Sequence, residues 1–160
     1  VLVFSFHHSK VNGWLAIYNA VMEAGFYIQE AYPVKAEMTG TSPKYKTKSP
    51  INIDALIICK KIKTLEKLEE DAENIQQLVN DRYKTYLKRF RQIGRKLTDG
   101  DKKVVYLSQL LNIYSKLGLE NWAKISKAFT DEGVESIINS VKFDNNPDVK
   151  NYTKHDQALI

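Results

Sequence analysis

The sequence predicts an α/β fold in its first part and an all-α fold in the rest. Apolar runs rich in β-branched and aromatic residues alternate with one amphipathic stretch near the start, which is typical of strands around a helix. Further along, the chain becomes rich in Lys, Glu and Leu with helical spacing of its apolar residues. We therefore expect a sheet-containing part over residues 1–62, a helical domain over residues 63–143 and a polar tail over residues 144–160.

Residues 1–8 form the first apolar run and predict a strand. A continuous run of this kind is typical of a strand buried on both faces of a parallel sheet, so we expect it inside the sheet and not at its edge. The chain opens on this strand, which suggests a fragment of a longer protein. Without an upstream neighbour, such a strand presents an unpaired edge and apolar faces. We expect it either to mediate self-association or to be buried under the chain's own helices.

Residues 13–24 place apolar side chains three and four positions apart. This spacing predicts an amphipathic helix, with Asn12 as its N-cap and Gly25 at its end. Residues 26–34 predict a second strand, in which Pro33 is compatible with a strand end or a sheet edge.

Residues 51–60 predict a third strand, which a loop over residues 39–50 connects to the second. A parallel return within a sheet normally needs a crossover of about a dozen residues or more, usually a helix. The loop contains no helical pattern. The last two strands are therefore expected to form an antiparallel hairpin.

The second part of the chain predicts four helices. The first is a long amphipathic helix of roughly eight turns. Three shorter helices follow, and the last has Thr130 or Asp131 as its N-cap. They are expected over residues 64–97, 102–117, 120–129 and 132–141, with a turn over residues 98–101 after the first.

Composition excludes several classes of protein. No stretch approaches the roughly 18 apolar residues of a membrane-spanning helix, and the first residues lack a signal-peptide pattern. We therefore expect a soluble, cytoplasmic protein with no membrane partner. Cys59 is the single cysteine, which excludes an internal disulfide and favours a buried free thiol over a redox or zinc site.

The net charge of +5 is distributed unevenly. Residues 1–63 contain eight Lys or Arg against four Asp or Glu, whereas residues 64–160 contain sixteen against fifteen. Lys44, Lys46 and Lys48 supply much of this excess from one loop. They could contact a phosphate backbone, or they could simply keep the loop solvated, and the sequence leaves both interpretations open.

Several short motifs occur in one order along residues 1–62. A strand ending in His-His leads to a helix with an early Trp, then to Ala-Gly-Phe, to a strand ending in Pro-Val with Glu-Met nearby, and to an apolar strand. They stand here as His7, His8, Trp14, Ala24-Gly25-Phe26, Tyr32-Pro33-Val34, Glu37-Met38 and Ile57-Ile58-Cys59-Lys60. This order resembles the end of the catalytic domain of bacterial adenine-specific DNA methylases. Residues 63–160 match no motif that we can name.

The resemblance implies the C-terminal part of a Rossmann-like methyltransferase sheet: its fifth, sixth and seventh strands, with the seventh inserted antiparallel between the other two. It implies an enzyme that transfers the methyl group of S-adenosylmethionine to the N6 amine of a flipped-out adenine in DNA. In that family, S-adenosylmethionine is bound at glycine-rich turns and the adenine by an Asn/Asp-Pro-Pro-Tyr/Phe motif. Neither motif occurs in this chain. We therefore expect no catalytic residue in this fragment and no activity from it alone.

The residues that could still line an active site are His7, His8, Ser9 and Glu37, because ligands of open α/β sheets bind at the carboxyl ends of the strands. The histidines and Glu37 also have structural alternatives: the histidines could cap the following helix or loop, and Glu37 could form a salt bridge. A metal site is not expected, since adjacent histidines on a strand point to opposite faces. Trp14 is expected in the core between helix and sheet, with base stacking as the alternative.

Two other functions remain open at this point. The helical half could be chiefly an interaction module that docks a partner subunit or DNA. The first part could also be a nucleotide-binding Rossmann remnant unrelated to methylation. The sequence upstream of this fragment would separate the second from the methyltransferase interpretation.

Overall fold

The computed structural model describes residues 1–36, 50–65, 72–117 and 129–141. These residues form one three-stranded sheet and four α-helices, a mixed α/β fold. The strands are β1 (Leu2–Phe6), β2 (Phe26–Lys35) and β3 (Ile53–Lys61), and the helices are α1 (Val11–Glu23), α2 (Ala72–Gln92), α3 (Asp99–Tyr114) and α4 (Asp131–Ser140).

Some of the sequence predictions fall outside these ranges. They are Glu37, the loop lysines Lys44, Lys46 and Lys48, the helix predicted over residues 120–129, and the polar tail over residues 144–160. Within the described ranges, no helix is both long enough and apolar enough to cross a membrane.

The strand order of the sheet is β1-β3-β2. Strand β3 pairs antiparallel with both of its neighbours, so β1 and β2 run parallel to each other on either side of it. The predicted antiparallel hairpin of the last two strands is therefore confirmed. The order is also the one that the resemblance implied, with the last strand inserted between the two earlier ones.

The helices that the structure describes cover only one face of the sheet. Along β3, Ile53, Ala55, Ile57 and Cys59 are buried and alternate with half-exposed residues. Helices α1 and α3 both lie on the buried face, where the Trp14 ring meets the Phe6 ring edge-on at 5.0 Å and α3 contacts β2 and β3. The opposite face, which we call the open face, exposes the side chains of Val3 and Tyr32 and half-exposes those of Leu56 and Ile58.

The predicted position of the first strand is therefore wrong for the described residues. Strand β1 lies at an edge of the sheet, and Val3 is 52% exposed on the open face. Of the two alternatives expected for this strand, self-association or burial under the chain's own helices, the second does not hold for the described helices, which cover one of its faces and leave Val3 exposed. The apolar run predicts a strand whose two faces could both be covered, which is typical of the inside of a sheet. In the described residues, however, no element pairs with the outer edge of this strand.

Helix α1 begins at Val11, two residues earlier than predicted, and Asn12 is not its N-cap. The preceding residue, Lys10, makes no side-chain cap. Instead the backbone N–H of Val11 donates to a carboxylate oxygen of Asp131 in α4, at 3.2 Å. The predicted end of the helix is confirmed, because Gly25 follows it with a φ of 76°, a conformation that favours glycine.

The boundary between α2 and α3 differs from the prediction. Helix α2 ends at Gln92, and Gly94, with a φ of 71°, makes the turn that residues 98–101 were predicted to make. Thr98 and Asp101 form a capping box, which begins α3 at Asp99. A Thr followed three residues later by an acid is a signal for the start of a helix. Here it outweighs the turn propensity of the Asp-Gly-Asp sequence that follows Thr98.

Helix α3 is buried on almost every side, between the sheet and α2. Its polar residues Gln109, Asn112 and Ser115 lie three positions apart and reach the backbone of β2. Ser115 Oγ accepts from the Ile28 N–H at 2.9 Å, Asn112 Nδ2 donates to the Gln29 oxygen at 2.7 Å, and Gln109 Nε2 donates to the Ala31 oxygen at 2.8 Å. These side chains satisfy backbone groups at the outer edge of the sheet. The core of the sheet and that of the helices form one cluster.

Candidate active-site edge

Three segments meet at one edge of the sheet. The carboxyl ends of β1 and β2 lie at this edge, and because β3 is antiparallel, its first residues lie there too. His7, His8 and Ser9 follow β1 directly. Phe6 pairs with Ala55 in the antiparallel register. His7, the residue after Phe6, therefore lies opposite Asp54, the residue before Ala55.

His7 and Asp54 form a close polar pair across the two strands. The His7 Nδ1 lies 2.5 Å from the Asp54 Oδ1. The His7 side chain is 49% exposed, whereas that of Asp54 is 19% exposed. A carboxylate at Nδ1 holds the imidazole in one orientation, so the rest of this half-exposed ring can make a hydrogen bond to a bound molecule.

His8 points the other way and has a structural role. Its Nδ1 lies 3.0 Å from the Lys10 nitrogen and 2.9 Å from the Lys10 oxygen, so the tautomer decides whether it accepts or donates there. Its carbonyl oxygen accepts from Trp14 Nε1 at 2.9 Å. The ring lies over Gly13, where any Cβ would overlap it. The structure thus brings His7 together with Asp54 and keeps the two histidines on separate faces.

Ser9 lies at the rim of a cavity of about 330 Å³. Lys103 of α3 lines this cavity and is almost fully buried, with its Nζ 2.5 Å from Asp131 Oδ1 and 3.4 Å from Glu135 Oε1. Because these two carboxylates compensate the ammonium, Lys103 offers no unpaired positive charge to a ligand. Its remaining lining includes Ile51, Asp99, Ile138 and Asn139.

Asp131 joins three helices at this point. It pairs with Lys103 of α3, caps the first turn of α1 through Val11, and itself belongs to α4. Burial acts to raise the pKa of its carboxyl, but the hydrogen bonds from Lys103 and Val11 outweigh burial and hold the pKa below its ordinary value. Asp131 is therefore ionised in the folded protein at neutral pH.

Asp101 fixes the start of β3 to the start of α3. Its side chain is buried and accepts from the Asn52 N–H at 2.6 Å and from the Thr98 N–H at 3.0 Å. The Thr98 hydroxyl in turn donates to the Pro50 oxygen at 2.6 Å. These bonds hold the segment before Asp54 in place, so the backbone that carries the His7 partner is rigidly attached to the helices.

Cys59 is buried on the helix-covered face of β3, as predicted. Burial raises the pKa of its thiol to about 11, because the low-polarity surroundings disfavour the thiolate. The thiol is therefore protonated at neutral pH and unsuited to nucleophilic chemistry. Across the described ranges, no cluster of three or more His, Cys, Asp or Glu side chains could hold a metal ion.

Sequence reasoning missed Asp54, Lys103 and Asp131. Their partners lie 47, 28 and 120 positions away along the chain, beyond the reach of any local pattern. The one available signal for Asp54 was an acid directly before the apolar run of this strand. Such a residue needs a partner when it is half-buried, and the register with His7 supplies it.

Comparison of this chain with protein-family models, with curated proteins and with solved structures finds no match.

Proposed function

We propose that this chain is the C-terminal part of an S-adenosylmethionine-dependent DNA adenine methyltransferase. In that enzyme it supplies the last three strands of the catalytic sheet and one wall of the active site. The observation that carries the proposal is the order β1-β3-β2, with an antiparallel β3 between two parallel strands. The motifs of residues 1–62 resemble those of the adenine methylases, and this strand order is the one their sheet requires.

The two edges of the sheet differ in a way that supports the proposal. At the β2 edge, side chains of α3 satisfy backbone groups. No described element pairs with the outer edge of β1, which we call the open edge, and Val1, Leu2 and Val3 beside it are 85%, 41% and 52% exposed. Proteins usually cover or charge an exposed strand edge because it pairs readily with other strands. An additional strand against β1 would complete the sheet.

His7 is the residue that we propose for contact with bound DNA. It lies at the carboxyl edge, where open α/β sheets bind their ligands. Asp54 orients its imidazole, and half of the side chain is exposed. It would contribute a hydrogen bond to the flipped base or to a phosphate. His8 would act only by shaping the turn, through Gly13 and Trp14.

S-adenosylmethionine would be held by other segments of the enzyme. The turn after β1 is filled by the His8 ring, and the first N–H of α1 is taken by the carboxylate of Asp131. No glycine-rich turn and no Asn/Asp-Pro-Pro-Tyr/Phe motif is present in the sequence. These residues do not fit the cosubstrate, so the chain alone should not transfer a methyl group.

The other interpretations are less well supported. An independent helical docking module would be expected to have its own core, whereas α3 packs directly on β2 and β3 in a single cluster. A nucleotide-binding remnant would be expected to keep an anion site at the first helix. Here a carboxylate occupies the N-terminus of α1.

The reading frame upstream of residue 1 tests the proposal. We expect it to encode a strand with a glycine-rich turn and, after a later strand, an Asn/Asp-Pro-Pro-Tyr/Phe motif. The full-length protein should then transfer a labelled methyl group from S-adenosylmethionine to duplex DNA, and nucleoside digestion should recover N6-methyladenine. The 160-residue chain should give no transfer.

Three variants sharpen the assay. Substitution of the upstream Asn or Asp should abolish transfer, while His7→Ala should reduce it. Asp54→Asn should have a smaller effect of the same sign, because it removes only the orienting carboxylate. An upstream region without these motifs, or a full-length protein that methylates no DNA, would overturn the proposal.

A further inference from the structure

A run of positive charge follows the second half of α2. Between Arg82 and Lys96 the sequence contains seven Lys or Arg and no Asp or Glu. Overall charge hides this concentration, because residues 64–160 carry nearly equal numbers of acids and bases. The run therefore differs from the rest of the helical half.

Not all of these cations are available to a partner. Arg82 lies 3.5 Å from Glu30 and also bonds Asn112, and Arg95 donates to the Asn52 oxygen at 3.3 Å. The remaining cations that are exposed form what we call the basic surface. They are Lys84, Lys88, Arg89 and Lys96. Within the described part of the chain, none of these four forms an ion pair.

Stabilisation of helix α2 does not explain why these cations are present in the basic surface. Cations in the last turn of a helix favour its dipole, which explains Arg89. Lys84 and Lys88 lie earlier, four positions apart on one face, where like charges disfavour a helix. An opposite charge at either position would stabilise the helix instead, so an external anion is the natural partner of this pair.

The basic surface ends near the candidate active-site edge. The bond from Arg95 to Asn52 places the C-terminal end of α2 beside the start of β3, two residues from Asp54. The positive half of α2 therefore leads to the edge that carries His7 and Asp54. A duplex presented to this edge would extend along α2. Lysines four positions apart on a helix are about 6 Å apart along its axis, so both can reach phosphates of one strand, which follow each other about every 3.4 Å along the duplex axis.

We propose that the basic surface binds the phosphate backbone of duplex DNA and holds the duplex at the candidate active-site edge. This inference rests on the proposed function, since it takes duplex DNA as the substrate. The contacts are with phosphates, so they position the duplex without selecting its sequence. Each lysine that meets a phosphate also releases a counterion, which makes the binding sensitive to salt.

The test is binding of the 160-residue chain to a fluorescently labelled duplex, followed by anisotropy between about 50 and 200 mM salt. The variant Lys84→Gln/Lys88→Gln should bind about tenfold or more weakly, and its slope of log affinity against log salt should fall by about 2. Glutamine and lysine have similar helix propensities, so the helix should be retained, as circular dichroism would verify.

Lys61→Gln/Lys63→Gln is the matched control. It removes the same charge from two exposed lysines near the end of β3, at the opposite edge of the sheet. Its affinity should stay within about twofold of wild type, and its slope of log affinity against log salt should stay within about 0.5 of the wild-type slope. Equal losses in both variants would overturn the inference, because they would indicate attraction by net charge alone. Absence of duplex binding, or tighter binding of single-stranded RNA or anionic vesicles, would overturn it too.

This experiment separates the inference from the proposed function. If the full-length protein methylates adenine while Lys84→Gln/Lys88→Gln binds duplex normally, the inference fails and the function stands. If the variant loses duplex binding but the full-length protein transfers no methyl group, the function fails and the surface stands.

Discussion

Gly13 determines the geometry of the turn that follows β1. It lies in the first turn of α1, where replacing glycine by alanine would ordinarily stabilise a helix by about 1 kcal/mol. Here the Cβ would overlap the His8 ring, so we expect Gly13→Ala to destabilise the protein by about 1–3 kcal/mol in urea unfolding. In a His8→Ala background the same substitution should be neutral or stabilising. Stabilisation in both backgrounds would show that the His8 ring does not fill this space.

Asp131 gives the fold a defined dependence on pH. Its folded-state pKa lies below the unfolded value of about 3.9, so its stabilising contribution is present above about pH 4 and is lost as pH falls through the folded-state pKa. At pH 7 we expect Asp131→Asn to cost about 1–3 kcal/mol, because hydrogen bonds from Lys103 and Val11 weaken.

Thermal unfolding across pH 2–7 measures this effect. The difference in stability between wild type and Asp131→Asn should shrink below about pH 4, as the wild-type carboxyl takes up its proton. Glu132→Gln is the matched control, because Glu132 is an exposed acid in the same first turn of α4. A constant difference at all pH values would contradict the assignment of Asp131 as the titrating group.

At the scale of elements, α3 acts as both a core helix and an edge cover. Asn112 donates to the backbone oxygens of Gln29 and Ile28 at 2.7 and 3.1 Å. Removing it takes the donor away from the Gln29 oxygen, while the Ile28 oxygen keeps its bond from Ser115 Oγ at 3.1 Å. We therefore expect Asn112→Ala to cost about 1–3 kcal/mol and to speed hydrogen exchange in β2. The exposed Asn139→Ala should change stability by less than about 0.5 kcal/mol. Equal effects of the two substitutions would show that α3 does not protect this edge.

Elements with local signals were predictable from the sequence. The three strands and the end of α1 at Gly25 follow from periodicity and capping residues. The sequence left the N-cap of α4 open between Thr130 and Asp131, and the structure places it at Thr130. The start of α1 was not predictable, since its cap is a carboxylate 120 positions away. For α3, the capping box at Thr98 was a local signal that the Asp-Gly-Asp sequence obscured.

The candidate site was predictable only in part. His7 was identified from the sequence because it directly follows a predicted strand. Its partner Asp54 was not, because the pairing depends on the register between two strands, which no single run of residues determines. The histidines were expected on opposite faces, and they take different partners as a result. Gly13 carried no sequence signal for contact with His8, because the contact depends on the turn that brings the two together.

At the scale of the whole molecule, the two edges of the sheet differ. Side chains of α3 satisfy backbone groups of β2, whereas no element within the described ranges pairs with the outer edge of β1, and Val1 and Val3 are exposed. The 160-residue chain is therefore expected to self-associate through β1 as its concentration rises, as sedimentation would detect. Val3→Lys should reduce this association, because a charge on the open face of an edge strand opposes pairing with a second strand.

Hydrogen exchange in β1 tests most directly whether these three strands complete a larger sheet. In the dilute, monomeric chain, the N–H groups of Leu2–Phe6 that face away from β3 should exchange rapidly, while those bonded to β3 are protected. In the full-length protein both sets should be protected, because an upstream strand would occupy the open edge. Unchanged rapid exchange of the outward-facing groups in the full-length protein would contradict the account.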